Sequence, residues 1–143
     1  MQVYLKAVQG QLRKEVNNAV VHKWLLAELK ERSFILRAER AEVVCKKLGV
    51  EFTESAYYRD IHVWLPDVEH GREAMPPCPH CRTGDHVGAH AWRDDHYARR
   101  VVDINSTFYI MSRRYRCSTC AQRASAATEA VAMASSSSSS SSS

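Results

Sequence analysis

Four of the chain's five cysteines stand in two Cys-x-x-Cys pairs, Cys78-Pro79-His80-Cys81 and Cys117-Ser118-Thr119-Cys120, with 35 residues between them. Two residues between thiolates let one tight turn aim both sulfurs at a single ion, and two such turns supply the four soft ligands of a closed tetrahedral site. Zn2+ is the expected ion, held by Cys78, Cys81, Cys117 and Cys120; an iron–sulfur cluster is the other metal group the pattern admits. Four protein ligands leave no open position for water, so the expected role is structural and the binding energy is largely folding energy. Cys-Pro-His-Cys is also a tetrapeptide of some thioredoxin-fold disulfide oxidoreductases. Its surroundings argue against redox catalysis: residues 73–77 do not read as a strand, residues 82–88 make a poor helix, and no proline follows Pro79 to supply a cis-proline. No catalytic residue is expected. Cys45, the fifth cysteine, falls on an apolar stripe and reads as a buried small hydrophobe.

Between the pairs lie His86, His90 and His96. His86 and His90 have the i, i+4 spacing of a helical metal site, but Gly84 and Gly88 oppose a helix and no glutamate stands between the histidines. They are expected to be exposed loop residues, with a substitute zinc ligand as the other possibility. Asp94 and Asp95 suit a turn rather than a carboxylate pair. Arg99, Arg100, Arg113, Arg114, Arg116 and Arg123 gather around the second cysteine pair and are interleaved with Phe108, Tyr109 and Tyr115. Guanidinium groups grip phosphates and aromatic rings stack on bases, so Arg99, Arg100, Arg113, Arg114, Arg116, Arg123, Tyr109 and Tyr115 are the candidate nucleic-acid contacts. The same residues could serve a protein-docking face, or pair with acids such as Asp103.

These side chains must be carried by a small set of elements. From Gly10 to Gly49 there is no proline, and Leu12, Val16, Val20, Trp24 and Ala27 recur at helical spacing. After Ser33, a candidate N-cap, Phe34, Ala38, Ala41, Cys45 and Leu48 continue the pattern up to Gly49 as the C-terminal stop. Two helices or one kinked helix fit. Tyr57 to Leu65 alternates, with Ile61, Val63 and Leu65 on one face, and Pro66 ends it. Residues 66–77 read as a connection. Arg99 to Ile104 and Thr107 to Arg116 read as a hairpin turning at Asn105-Ser106, with Tyr109, Met111, Arg113 and Tyr115 on one face of its second strand.

The remaining constraints come from composition. Of 143 residues 45% are apolar and 25% charged, as in ordinary globular domains. No run approaches the roughly 20 apolar residues of a membrane span, and the N-terminus lacks a signal-peptide pattern, so no membrane partner is expected. Paired cysteines suit a reducing compartment, and an intracellular location is expected, nuclear ahead of cytoplasmic. The net charge of +4 is unevenly placed: residues 1–77 carry 12 basic and 11 acidic groups, residues 78–123 carry 8 arginines, no lysine and 4 acids. Ala124 to Ser143 is almost all Ala, Ser and Thr and reads as a disordered tail.

Taken together, Tyr57-Tyr-Arg-Asp-Ile-His-Val-Trp-Leu-Pro66, Pro77-Cys-Pro-His-Cys81, Arg100-Val-Val-Asp-Ile104 and Tyr109-Ile-Met-Ser-Arg-Arg-Tyr-Arg-Cys117 resemble an uncharacterised eukaryotic zinc-ribbon family. That family is similar to modules of transposon-derived proteins, some linked to exonuclease-like or helicase-like regions. The resemblance covers roughly residues 52–122 and carries over the four cysteine ligands. The expectation is an α+β protein: a helical segment over 1–50, a zinc-ribbon-like domain with an antiparallel hairpin over 51–123, and a disordered tail over 124–143. The expected function, read from the cysteine pairs and the arginine and aromatic residues, is a non-enzymatic zinc-binding module contacting nucleic acid, DNA ahead of RNA. The alternatives are a protein-docking adaptor, in which the helical segment can also bind a partner, or an accessory fragment of a longer nuclease or transposase.

Overall fold

The computed structural model describes residues 1–136, and its architecture is α+β. The first helix, α1 (Gln2–Asn17), starts eight residues before Gly10 because Tyr4, Leu5, Val8 and Leu12 already form a buried stripe at helical spacing. It stops at Asn18, whose side-chain oxygen accepts a hydrogen bond from the Val20 amide at 3.0 Å in place of a further helical turn. Val20, expected on the apolar stripe, is therefore 93% exposed.

Helix α2 (Trp24–Glu31) has no capping side chain of its own. Its cap comes from α1: the Leu25 amide donates to Glu15 Oε1 at 3.0 Å and the Leu26 amide to Glu15 Oε2 at 2.8 Å. Gln11 adds a third donor, and the fully buried carboxylate lies against the positive end of the helix dipole. Ser33 is not an N-cap. It and Phe34 adopt left-handed φ angles of 53° and 58°, and the Phe34 amide donates to Leu29 O at 2.8 Å, which closes α2 and turns the chain into strand β1 (Ile35–Leu36). A single 3-10 turn leads into α3 (Ala41–Leu48), which ends as expected on Gly49 at φ +69°. The segment thus holds three helices.

Strand β2 (Ile61–Trp64) buries Ile61 and Val63 as the alternation predicts. Pro66 opens a one-turn helix, α4 (Pro66–Glu69), inside the expected connection. After the first cysteine pair come β3 (Val87–Ala91), β4 (Arg99–Val102), β5 (Thr107–Ser112) and β6 (Arg114–Cys117). The expected hairpin exists as β4–β5, pairing Arg99 with Ile110 and Val102 with Thr107. It does not belong to the metal module, however. It joins β1 and β2 in a sheet of order β1-β2-β5-β4, with β2 parallel to β5. The expected second strand is split: β6 pairs with β3 in a separate two-stranded sheet. Only Arg113 separates β5 from β6, so one nearly continuous run of chain passes from one sheet to the other.

Helices α1–α3 and the four-stranded sheet share one core, in which Leu5, Leu12, Leu25, Leu36, Ile61 and Met111 are fully buried. Residues of the segments expected over 1–50 and 51–123 therefore pack together. Trp92, just after β3, reaches into the same core, and Gln9 of α1 donates to Arg93 O at 2.9 Å beside it. Last comes α5 (Ser118–Ser136), which corrects part of the expected disordered tail: residues 124–136 are helical. Seven alanines over 118–136, the best helix formers, outweigh the low-complexity signal. The rest of that expectation, residues 137–143, lies outside the described residues.

Glu15→Ala strips two buried helix-end amides of their acceptor and is expected to lower the unfolding free energy by roughly 2–4 kcal/mol in a urea titration. Val20→Ser, on the same sequence stripe but in solvent, is expected to change it by less than about 0.5 kcal/mol. Matching losses for the two variants would contradict the cap.

Candidate metal centre

The first cysteine pair sits in a tight loop. The Arg82 amide donates to Cys78 O at 2.7 Å and the Cys78 amide to Thr83 O at 2.9 Å, while Arg82 takes a left-handed φ of 61° to let the chain turn back. Gly84 follows where the loop crosses Met75; a Cβ there would lie 3.1 Å from Met75 O. The second pair is built differently from the matching turn expected. Cys117 ends β6 and Cys120 lies in the first turn of α5, so the strand–helix junction itself sets their spacing. The Ser118 amide donates to His86 O at 2.9 Å and anchors this junction to the start of β3.

The two pairs interlock. Cys78 Sγ lies 3.6 Å from Cys120 Sγ, Cys81 Sγ lies 3.6 Å from Cys117 Sγ, and all four sulfurs fall within 4.8 Å of one another. Sulfurs bound at about 2.3 Å to one tetrahedral ion stand about 3.8 Å apart. They are too far apart for disulfides, which need about 2.05 Å, and too close to surround a multi-iron cluster. The group can hold one metal ion. No histidine belongs to it among the described residues: His80, His86, His90 and His96 are exposed.

The sulfurs differ in proton affinity. Hydrogen bonds from the Thr83 hydroxyl and amide hold Cys81 down at about 6, and the amides of Cys81 and His80 lower Cys78. Cys120, whose thiol proton is shared with Cys78, is pushed up to about 12. Thiolate character is thus greatest on Cys81, and the retained proton lies with Cys120. Cys45 is far from this chemistry: it is buried in the main core beside Tyr58 Oη at 3.8 Å, and burial raises its thiol.

The candidate nucleic-acid residues are not one face. Arg99 and Arg100 lie on edge strand β4, Arg114 and Arg116 on β6, and Arg123 on α5; all five are exposed. Tyr109 packs against the main core. Arg113 and Tyr115 are engaged internally. The Arg113 side chain is only 9% exposed and its guanidinium pairs with Asp67 of α4, while Tyr115 Oη donates to the other Asp67 oxygen at 2.7 Å. Burial, then this hydrogen bond, pushes the Tyr115 phenol up to about 12. Asp67 had no signal in the sequence beyond following Pro66. Asp94 and Asp95 are turn residues paired with Arg13 and Arg93, and Asp103 caps its own loop at the Ile104 amide.

No protein-family model, curated protein or solved structure matches the chain. What the chain does must therefore be read from its own geometry. No helix among the described residues is long and apolar enough to cross a membrane.

Cys117→Ser is expected to lose stoichiometric zinc and the visible bands of a tetrahedral cobalt substitute, whereas Cys45→Ser keeps both; metal analysis and absorption spectra check this. Asp67→Ala leaves the Arg113 guanidinium without its partner and is expected to destabilise the fold by roughly 2–4 kcal/mol in urea.

Proposed function

We propose that the protein is a non-catalytic binding module in which zinc, held by Cys78, Cys81, Cys117 and Cys120, folds the β3–β6 unit and so fixes an array of arginines that contacts nucleic acid inside the cell, in the nucleus. Tetrahedral soft-ligand geometry supports zinc, and a site filled by four protein ligands has no position for a reacting water.

One observation carries the nucleic-acid reading: the arginines are divided by what they pair with. Arg13, Arg32, Arg37 and Arg40, the arginines of residues 1–50, each pair with a carboxylate. Beyond residue 98 only Arg113 does; Arg99, Arg100, Arg114, Arg116 and Arg123 have no acidic partner among the described residues. Unneutralised guanidinium groups on a rigid frame suit phosphate oxygens, and their counterions are released on binding. The resemblance to an uncharacterised zinc-ribbon family, itself similar to modules of transposon-derived proteins, is in keeping with this reading. A protein-docking role would place an apolar contact at the centre of the interface, and salt separates the two.

Fluorescence anisotropy of the zinc-loaded chain with labelled oligonucleotides is expected to show binding that weakens steeply with salt. Arg114→Ala with Arg116→Ala should weaken binding across sequences and reduce the log–log salt slope by about 2. Arg32→Ala, which removes an internally paired arginine, should leave both unchanged. Binding that is absent at low salt, or insensitive to salt, would refute the nucleic-acid reading.

A further inference from the structure

Helices α1–α3 share a core with one face of the four-stranded sheet. Its inner face carries Leu36, Ile61, Val63 and Met111 into the main core. Register then places His62, Trp64, Phe108 and Ile110 on the outer face: His62 is opposite Ile110, Trp64 opposite Ser112, and Val101 opposite Phe108. None of these residues belongs to either apolar cluster, and Trp64 is 46% exposed. His62, Phe108 and Ile110 are half-buried, and the rings meet in two pairs. His62 and Phe108 lie 4.6 Å apart between ring centroids, and Trp64 is held edge-on by Tyr115 at 5.5 Å, which joins the surface to the metal module.

Charge complementarity identifies what would cover it. Arg99 is the cross-strand partner of Ile110 and so belongs to the same face. Arg100, opposite Tyr109, lies on the other face of β4, and the two arginines line a cleft of about 690 Å³ at the sheet edge, where Arg93 is paired with Asp95. Aromatic faces beside unpaired guanidinium groups are the two components of single-strand recognition, stacking for bases and cations for phosphates. Spacing excludes a duplex as the fitting ligand. Residues two apart on a strand, such as His62 and Trp64, stand about 7 Å apart, twice the roughly 3.4 Å repeat of bases in a double helix. Only bases unstacked from one another can lie on both rings.

We propose that this outer sheet face is a stacking platform for the bases of a single-stranded nucleic acid, centred on His62, Trp64 and Phe108, with the phosphates running past Arg99 on edge strand β4. The proposal rests on the nucleic-acid reading above and narrows it to one polymer form and one face.

The test uses the zinc-loaded full chain with labelled oligo(dT), oligo(rU) and a DNA duplex of equal length. Single strands are expected to bind more tightly than duplex, and their addition to quench tryptophan fluorescence; Trp64→Phe should remove that quenching while keeping affinity within about threefold. Trp64→Ala and Phe108→Ala, with zinc content and circular dichroism unchanged, should each weaken single-strand binding by about tenfold and duplex binding by less than about twofold. Tighter binding of oligo(dT) or of oligo(rU) supports the platform in either case and identifies the polymer. Duplex binding equal to single-strand binding, with no quenching and no effect of Trp64→Ala or Phe108→Ala, overturns the platform and leaves the arginine contacts standing. Failure of every oligonucleotide to bind at low salt overturns both.

Discussion

Four sulfurs drawn from both ends of a 43-residue stretch meet at contact distance, and the smaller half of the molecule has little else to hold it. Its buried apolar residues are Met75, Val87 and Cys78, itself one of the four. Thiolates packed this closely repel unless a cation or retained protons lie between them, so the module's folding and its metal affinity are one equilibrium. The larger core lowers the cost of that assembly. Residues 92–113, which separate β3 from β6, are committed to the four-stranded sheet and to Trp92's place in the main core, so the chain ends that must meet at the sulfurs are already held near one another.

The junction between the halves is electrostatic. Asp67 receives both Arg113, the single residue between β5 and β6, and the Tyr115 hydroxyl, and so fixes the path by which one strand leaves its sheet for the next. The same economy of carboxylates runs through the helical part, where Glu28 takes Arg32 and Arg40, and Asp60 takes Arg37 and the Ala38 amide. Hydrogen bonding to Arg40 holds the Glu28 carboxyl below its ordinary value. Acids are scarce beyond residue 74, which leaves the later arginines to solvent or to a ligand.

The parts of this arrangement legible in the sequence are those set by local chemistry. Cysteine spacing identified the four thiols that cluster, alternation identified the buried face of β2, and Gly49 marked the end of α3. What escaped depends on distant partners. Glu15 caps a helix that begins nine residues later, and no spacing rule ties it to Leu25 and Leu26. The hairpin strands were visible, yet their sheet was not, because β5 pairs with a strand 48 positions earlier, Ile61 against Tyr109. Arg113 and Arg114 are neighbours of identical type; strand alternation turns one toward Asp67 and the other to solvent. Alanine-rich α5 is hidden in the sequence because composition alone does not distinguish a helix anchored at its base from a free tail.

Helix α5 has no buried residue, and from Gln122 onward every described position is exposed. Its base is fastened to the metal module by Cys120 and by the Ser118 amide, which donates to His86 O, and its 19 residues give it a length of about 28 Å. It is a lever with its fulcrum at the sulfurs: a change of about 10° in the direction of its first turn sweeps the far end through about 5 Å. Ångström-scale adjustments in how the four thiolates are held are thereby magnified at the surface.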